Sequence, residues 1–576
     1  MANPIPRCVD TVIIGNGPSA LILSYILHGH IPYYIGGHHD PILDSKLSTR
    51  PNLLNLTPDL YAHFLSSLRY STQALPINTL LDTLIRPNAD TEINPTSCIE
   101  WRYEPEKAIP HVAIGQTPQA GGQWADNPVS ASPDISTLSY AEQLSLPGYS
   151  YAEHAARNKK EDEGQCDFVR PSKTEVADYL KTYPEAVGIS SSIFTGEKVD
   201  NVYRTSDGFT IGSLGIQCKH VVLASGIFMV NIPPPALLGP ISKLDTVQEP
   251  LLVIGSGFSA ADVIISAPSN RKVVHLFQWT PERRPSPLRG CHHTAYPEYA
   301  TVYRQMKLAV IAASKTTNVR SPLMRRKSNP FVAQRDWSTY YEGFPNAQVL
   351  QVKREAGEEK ATITIRLVSG DIITRSVGGL QYVVGRRGTL DFLAPKLRSE
   401  VMGTPATTEE TTRTLISGHT LRAKSETSLE VAKAVFIIGS LAGDSLIRHA
   451  IGGCVFAAGR ILGVLPSSCC SNSSQVSTCS SSTPRSVSPI PPFEPFPTPP
   501  TPPPPPPPPP PRSTPSTSTS VSAASTLDIS PPVTTNGHVD LHLDRRKLAR
   551  EVNKASAVNS VWVDSGWWAG GMGGGR

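Results

Sequence analysis

The chain contains two glycine-rich turns of the same form, each placed between an apolar strand and an apolar helix. The first, Gly15-Asn16-Gly17-Pro18-Ser19-Ala20, follows VDTVII, and the second, Gly255-Ser256-Gly257-Phe258-Ser259-Ala260, follows LLVI about 240 residues later. In such a turn the first glycine makes the tight bend and the second lets a pyrophosphate approach the backbone. The small sixth residue packs the helix on the strand, and the helix N-terminus faces the phosphate. Two such motifs predict an α/β protein with two Rossmann-like dinucleotide-binding domains.

The apolar segments around the motifs predict the domain boundaries. An FAD-binding domain is expected over residues 1–235 and 381–465, with an NADPH-binding domain inserted at 236–380. Each motif is expected to open a βαβ unit. The first unit comprises a strand at 10–14, a helix at 18–28 and a second strand at 33–35. The second comprises a strand at 251–254, a helix at 258–266 and a strand at 273–277.

The residues after 465 have a different composition. Ten of the 55 prolines form one run at 502–511 within a Ser/Thr/Pro-rich stretch, which cannot bury enough apolar surface to offset chain entropy. We therefore expect a disordered linker at 466–540 and a C-terminal tail at 541–576 with a candidate short helix at 541–554. The proline run is suited to an aromatic-lined groove, so a proline-recognition domain is one candidate partner; a plain spacer is the alternative.

Charge, cysteine usage and hydropathy exclude several classes of function. The net charge of +5 is small and scattered, which argues against nucleic acid as a partner. The nine cysteines include no CxxC pair, so neither a disulfide framework nor a metal site is predicted, and a reducing compartment is favoured. No signal-peptide layout and no apolar stretch of spanning length are present, so we expect a cytoplasmic protein without a membrane span.

The residues after each predicted second strand bear on which nucleotide binds. A carboxylate normally binds the ribose 2′-hydroxyl there. After the second motif this position is near Gln278, and Arg283 and Arg284 follow, which favours the 2′-phosphate of NADPH; an exposed basic loop is the alternative. After the first motif the stretch at 35–37 is Ile-Gly-Gly, and the nearest acid is Asp40. The adenosine end of an FAD site therefore lacks its usual carboxylate.

Two further segments favour a flavoprotein. The segment Leu223-Ala224-Ser225-Gly226 supplies small residues where the chain would leave the FAD domain. Residues 436–454, FIIGSLAGDSLIRHAIGGC, place Gly443 and Asp444 between a strand and a helix. Asp444 is positioned to bind the ribityl chain or a phosphate-linked water, and the helix N-terminus can stabilise negative charge on reduced flavin. A plain helix cap is the alternative for Asp444.

Taken together, five segments resemble the oxidative stress-induced growth inhibitor family, which is related to flavin-containing and N-hydroxylating monooxygenases. They are VIIGNGPSALILSYIL, VRPSKTEVADYL, VIGSGFSAADVI, AYPEYATVYRQM and IIGSLAGDSLIRHAIGG, and the resemblance covers residues 9–464. It implies binding of FAD and NADPH. The segment Gly121-Gly122-Gln123-Trp124 looks like the GGxW element that lies beside the flavin in such enzymes. For the YPEY segment, Tyr296 to Tyr299, a packed helix start is the favoured interpretation.

The resemblance implies monooxygenase-type chemistry. NADPH would reduce FAD, and a flavin hydroperoxide formed with molecular oxygen would oxygenate a small or lipid-like substrate. The cofactor is the oxidant in this chemistry, so no catalytic acid, base or nucleophile is assigned. Two alternatives are an NADPH oxidase or reductase without oxygenation, and a non-enzymatic, flavin-bound regulator of growth that acts through partners. A disulfide reductase is disfavoured because the chain has no CxxC.

Overall fold

The computed structural model describes residues 4–55, 74–87, 95–127, 129, 131–158, 169–314, 335–403 and 415–463. All of them belong to one compact unit. The predicted linker, its proline run and the candidate helix at 541–554 lie outside the described residues. In the part of the chain that is described, no helix combines the length and apolar character needed to cross a bilayer.

The strands are short and fall into several separate sheets. They are β1 (Thr11–Ile14), β2 (His30–Tyr34), β3 (Ile99–Tyr103), β4 (His111–Gly115), β5 (Ile193–Thr195), β6 (Val202–Arg204), β7 (Phe209–Ile211), β8 (Ile216–Cys218), β9 (His220–Leu223), β10 (Val230–Asn231), β11 (Leu251–Ile254), β12 (Val273–Phe277), β13 (Tyr341–Pro345), β14 (Gln348–Lys353), β15 (Ala361–Arg366), β16 (Ile372–Val377), β17 (Gly379–Tyr382), β18 (Arg386–Thr389), β19 (Leu415–Ile416), β20 (Glu430–Ala432) and β21 (Val435–Ile437).

Twelve α-helices lie among the described residues. They are α1 (Pro18–Leu27), α2 (Pro41–Ser48), α3 (Pro76–Ile85), α4 (Ala141–Leu144), α5 (Tyr151–Asn158), α6 (Lys173–Ala186), α7 (Phe258–Ser266), α8 (Pro297–Ala313), α9 (Trp337–Tyr340), α10 (Pro395–Met402), α11 (Arg422–Thr427) and α12 (Ile451–Ile461). Two of them, α1 and α7, directly follow the glycine turns.

The first sheet has the strand order β20-β21-β9-β1-β4-β5. Its strands are parallel except β20, which pairs antiparallel at one edge. The central strand β1 is buried at every position, as expected for a parallel strand covered on both faces. Helix α1 packs beside it, and eight of its residues, Ala20 to Leu27, are buried. The first glycine motif therefore opens a parallel α/β sheet, as predicted.

The predicted partner of β1 is wrong. The strand expected at 33–35 exists as β2, but it pairs antiparallel with β3 in a separate two-stranded sheet. The strand beside β1 is β4, about 80 residues further along the chain. The physical reason lies in the two sequences. Strand β2 contains Pro32, which cannot donate a ladder hydrogen bond, whereas β4 reads HVAIG and is buried at all five positions.

The second sheet has the order β13-β12-β11-β17, and all four strands are parallel. The bounds of β11, α7 and β12 coincide with the predicted strand, helix and strand of the second βαβ unit. Strands β14, β15 and β16 lie between β13 and β17 in chain order and form an antiparallel meander. The prediction of an α/β protein with two Rossmann-like units is confirmed.

Two short antiparallel strands, β10 and β18, connect the first-sheet and second-sheet parts of the chain. A second connection is made by side chains. The Arg170 guanidinium stacks over the Tyr296 ring at 4.5 Å, donates to the Ala295 carbonyl at 2.7 Å and forms an ion pair with Glu298. The YPEY segment is thus a packed helix start, in agreement with the favoured interpretation.

Helix α6 supplies the second half of this connection. Lys173 Nζ lies 2.8 Å from an Asp262 carboxylate oxygen, and the Tyr299 hydroxyl donates to the other oxygen at 2.8 Å. Asp262 belongs to α7, the helix that follows the second glycine turn. We call Arg170, Lys173, Asp262, Tyr296, Glu298 and Tyr299 the junction. The junction joins the VRPSK and YPEY segments, which are far apart in the sequence.

Buried histidines give the fold a defined response to acid. Burial lowers the pKa of His38, His111, His275 and His449 to about 4 each. These groups are neutral in the folded protein at pH 5, whereas the unfolded chain protonates them near pH 6.5. Because the unfolded state binds more protons between pH 6.5 and 4, stability falls as the pH is lowered through that window.

We expect the melting temperature to drop between pH 7 and pH 5. At pH 5, each such histidine should lower the free energy of unfolding by about 2 kcal/mol. His275 offers the test, because its ring bonds the Gly255 carbonyl and the Tyr341 hydroxyl, both at 2.7 Å. A His275→Gln variant, measured by thermal unfolding, should be less stable at pH 7 but lose less stability on acidification. Profiles that run parallel for both proteins would contradict the assignment.

Candidate dinucleotide sites

A cavity of about 440 Å³ opens at the carboxyl ends of β1, β4 and β9. Ligands of open parallel sheets bind at this edge. Much of its lining comes from segments that the sequence analysis named separately: Gly15, Gly17, Pro18, Ser19, Gln123, Trp124, Ala224, Ser225, Gly226 and Asp444. Ala20 is fully buried behind the turn, and Gly443 stands next to Asp444 without lining the cavity. The fold therefore brings these segments to one place.

The two glycines of the first turn have different tasks. Gly15 has a φ of +132°, and a Cβ there would lie 2.3 Å from the Ala224 carbonyl oxygen, so its absence of a side chain is required by the fold. Gly17 is extended, and a Cβ there would meet nothing closer than the Gly122 Cα at 3.9 Å. A side chain at Gly17 would therefore project into the cavity. Helix α1 has no side-chain cap at its N-terminus, which leaves backbone N–H groups for an anion.

Asn16, between the two glycines, was missed by the sequence analysis. It is buried, and its amide oxygen accepts from the Thr117 hydroxyl at 2.7 Å while its backbone carbonyl accepts from Gly121 N–H at 2.8 Å. These bonds attach the glycine turn to the loop that carries Gln123 and Trp124. The sequence holds no local signal for this role, because the partners of Asn16 lie about 100 residues away.

Because β4 lies beside β1 in place of β2, the adenosine ribose is expected near a different residue. A ribose-binding carboxylate is usual after the strand next to β1. That strand is β4, and Gln116 directly follows it. Gln116 is exposed and lines the cavity. Its amide offers both donors and an acceptor to a ribose diol. Asp40, the nearest acid after β2, instead caps helix α2 by accepting from the backbone N–H groups of Ile42 and Leu43.

An orphaned hydroxyl in the cavity wall fits a polar cofactor. The Ser225 Oγ atom is buried and has no hydrogen-bond partner in the part of the chain that the structure describes. Buried polar side chains are satisfied in the large majority of cases, so an unsatisfied one beside a cavity indicates a missing partner. Ser225 follows β9 at the point where the chain leaves the first sheet. A cofactor with oxygen atoms at this wall would supply the missing acceptor or donor.

Asp444 is held mainly by protein groups. Its Oδ2 accepts from Leu75 N–H at 2.8 Å and from Asn78 Nδ2 at 2.6 Å, and its Oδ1 accepts from Arg422 Nη1 at 2.8 Å. Leu75 is the N-cap residue of α3, so Asp444 binds the start of a distant helix and makes no cap bond to the helical turn that follows it. Gly443 is left-handed, and a Cβ there would lie 2.9 Å from the Arg422 side chain. Binding of the ribityl chain by Asp444 stays a prediction.

A buried charge cluster supports the segment after Asp444. The Asp82 carboxylate forms ion pairs with Arg86 and Arg448. Burial by itself would raise the pKa of Asp82, but the guanidiniums of Arg448 and Arg86 outweigh burial and hold that pKa well below its usual range. Ile447, next to Arg448, lines the cavity. The cluster therefore fixes one wall of the cavity from behind.

The second glycine turn repeats the geometry of the first. A Cβ at Gly255 would lie 2.4 Å from the Val383 carbonyl oxygen, whereas a Cβ at Gly257 would meet nothing closer than the Pro287 Cγ at 4.0 Å. Helix α7 also lacks a side-chain N-cap. Ala260 is buried against the sheet, and Ser259 is partly buried. This N-terminus is thus open for a second anion.

The predicted phosphate-binding arginines lie on a loop anchored to this turn. Gln278 N–H donates to Ser256 Oγ, and Ser286 Oγ donates to the Ser256 carbonyl, both at 2.8 Å. Arg283 and Arg284 are exposed between these two anchors. The loop therefore presents both arginines on the same side of the second sheet as the turn. Contact with a 2′-phosphate stays a prediction.

Homologues of this chain are named oxidative stress-induced growth inhibitors. The mouse protein named oxidative stress-induced growth inhibitor 1 is 25% identical over 507 residues, which span 80% of this chain and 96% of the mouse protein. The human protein named oxidative stress-induced growth inhibitor 2 is 25% identical over 500 residues, or 77% of this chain and 91% of that protein. The predicted resemblance is confirmed. A scan against protein-family profiles finds no match.

The solved structures that match this chain are more distant in sequence. A bacillithiol disulfide reductase from Staphylococcus aureus is 12% identical and covers 80% of this chain and 99% of its own, with a TM-score of 0.42. A flavin-containing monooxygenase from Stenotrophomonas maltophilia is 12% identical, with coverage of 80% and 99% and a TM-score of 0.41. Both scores are below 0.5, so the fold assignment rests on the strand order and the glycine turns.

The different tasks of Gly15 and Gly17 give a paired test. We expect Gly17→Val to keep the melting temperature of the cofactor-free protein and to lose bound flavin, because the new side chain enters the cavity. Gly15→Ala should lower stability whether or not flavin is present, since its Cβ collides with a backbone carbonyl. Thermal unfolding and the flavin absorbance of purified protein separate the two effects. A Gly17→Val protein with full flavin content would show that this cavity is not the flavin site.

Proposed function

We propose that the chain is a flavoprotein oxidoreductase that binds FAD at the first glycine turn and NADPH at the second. The observation that carries this proposal is the repeated geometry of the two turns. Each follows a parallel strand, each packs its first glycine on a carbonyl of the chain that leaves the sheet, and each leaves an uncapped helix N-terminus open. A helix N-terminus of this kind favours a phosphate group.

FAD fits the first cavity through groups along its whole length. The diphosphate would lie at Gly17 and Ser19, at the start of α1, and the adenosine ribose at Gln116. Ser225 would gain its missing hydrogen bond, and Gln123 and Trp124 would lie beside the flavin ring. When bound, FAD supplies a two-electron acceptor that can also react with molecular oxygen. The chain itself binds, orients and shields the cofactor.

NADPH fits the second turn. Gly257 leaves room for its diphosphate at the start of α7, where Ser259 and Ala260 form the first turn of the helix. Arg283 and Arg284 would bind the 2′-phosphate through charge-assisted hydrogen bonds, which are stronger than neutral ones. The residue after β12 is Gln278, so the position that usually carries a ribose-binding carboxylate is neutral.

The reaction proposed is oxygenation of a small or lipid-like molecule, with NADPH as the electron donor. One atom of molecular oxygen goes to the substrate and the other leaves as water. The junction favours this reaction over dithiol exchange, because partly buried ion pairs of Arg170 and Lys173 hold the second-sheet part in one orientation. Such a fixed placement suits a nucleotide that stays bound beside the flavin to keep water out. The sequence also has no CxxC pair for a disulfide relay.

The nucleotide preference is tested by removing the two arginines together. We expect Arg283→Ala with Arg284→Ala to raise the Kd for NADPH by roughly 10- to 150-fold, since a lost charge-assisted contact costs about 1.5–3 kcal/mol. The Kd for NADH should stay unchanged. The matched control is Arg354→Ala with Arg366→Ala on the antiparallel meander, which removes the same charge far from the turn. An equal NADPH preference in both variants would exclude the pair as the phosphate site.

The class of reaction is tested by measuring how much of the consumed oxygen appears as hydrogen peroxide. NADPH, oxygen and hydrogen peroxide are measured together while amines, thioethers, ketones and lipids are offered in turn. A monooxygenase should consume NADPH and oxygen in equal amounts and form less peroxide with an accepted substrate. Bleaching of the flavin absorbance by NADPH without oxygen is the first requirement. Stoichiometric peroxide with every compound would move the function to an NADPH oxidase.

A further inference from the structure

Arg386 lies on the path between the two proposed nucleotide sites. After β17 ends, the chain passes the second glycine turn, where Val383 N–H donates to the Ile254 carbonyl at 2.9 Å. Arg386 then begins β18, which pairs with Asn231 of the other crossing strand. The carboxyl edge of the second sheet is where a bound nucleotide leaves its domain. Arg386 is therefore placed between that edge and the first cavity.

The guanidinium of Arg386 contacts one residue of the first cavity's wall, Phe228. It stacks over the Phe228 ring with 4.8 Å between the guanidinium carbon and the ring centroid, and Phe228 lines the cavity. Its Nη1 donates to the Asn127 side-chain oxygen at 3.3 Å. Asn127 comes three residues after Trp124. A guanidinium carries five N–H donors in a planar fork, so several donors remain for another group.

The charge of Arg386 has no direct counterion among the residues that the structure describes, since none of their carboxylates lies within 4.0 Å of it. Asp262 is the charged group that acts on it electrostatically, and that carboxylate already binds Lys173 and Tyr299. Burial lowers the pKa of Arg386 to about 10, which still leaves it a cation at neutral pH. A partly buried cation without a counterion is costly unless a ligand supplies the negative charge.

The phosphates of both nucleotides already have partners in the proposed function. The FAD diphosphate lies at α1, the NADPH diphosphate at α7 and the 2′-phosphate at Arg283 and Arg284. We propose that Arg386 binds the carboxylate of the substrate, so that this protein acts on carboxylate-bearing molecules held beside Phe228 of the cavity wall. A guanidinium matches a carboxylate through two parallel hydrogen bonds. This inference rests on the proposed function.

The test uses the full chain loaded with flavin, with benzoate as the carboxylate probe and benzamide as its neutral match. Titration of the flavin absorbance should show saturable perturbation by benzoate, with benzamide at least about 10-fold weaker. Arg386→Gln should raise the Kd for benzoate at least about 10-fold and leave flavin content and the Kd for NADPH unchanged. Arg386→Lys keeps the charge without the fork and should fall between the two.

The neighbouring arginine provides the matched control. Successive side chains of a strand point to opposite faces, and Arg387 bonds the Arg386 carbonyl at 2.9 Å. Arg387→Gln should therefore bind benzoate as the unaltered protein does. The comparison of benzoate with benzamide on the unaltered protein stands even if a variant at Arg386 fails to fold.

Three results would overturn the inference, and they are distinguishable. Flavin-loaded protein that responds equally to benzoate and benzamide, or to neither, has no carboxylate site at Arg386. A weaker Kd for NADPH in Arg386→Gln, with benzoate binding unchanged, would assign Arg386 to the nucleotide. Protein that binds no flavin would overturn the proposed function itself and this inference with it.

Discussion

The close approach of a glycine to a backbone carbonyl is the contact on which both proposed sites depend. Gly15 touches the Ala224 carbonyl and Gly255 touches the Val383 carbonyl, and in each case a methyl group would not fit. The contact binds the turn after the first strand to the chain that leaves the same sheet. It thereby leaves the start of the following helix exposed at the sheet edge. Without it, neither helix N-terminus would face open space, and no phosphate could reach one.

The junction sets the orientation of the second-sheet part of the chain relative to the first sheet. Arg170 and Lys173 come from the side of the first sheet, and Glu298 and Asp262 come from the side of the second. Burying such charges costs desolvation energy, which the ion pairs offset only because hydrogen bonds satisfy the remaining donors and acceptors. Arg170 meets this condition with additional bonds to backbone carbonyls. The result is a specific orientation more than a large gain in stability.

Two acidic residues near the first cavity, Asp82 and Asp444, bind groups of the protein itself. Asp444 joins α3 to the segment before α12, and Asp82 collects two arginines behind that segment. Both carboxylates are engaged by protein cations. Three further acidic residues, Glu197, Asp200 and Asp391, line the cavity together with Lys198. Arg386, which stacks on Phe228 of the cavity wall, is the contrasting case, because no carboxylate of the described residues lies within 4.0 Å of it.

The sequence by itself determined the two glycine turns, their helices and the complete second βαβ unit, because these features are specified by neighbouring residues. A tight turn requires glycine locally, and an apolar run of four or five residues beside it forms a buried strand. The placement of β4 beside β1, and with it the position of Gln116 in the cavity lining, was decided only by the tertiary structure. Strand order depends on which apolar segment can be buried on both faces, whatever its distance along the chain. The partners of Asn16 lie about 100 residues away, and two of the three partners of Asp444 lie about 370 residues away, so hydrogen bonds formed only in the folded chain assign their roles.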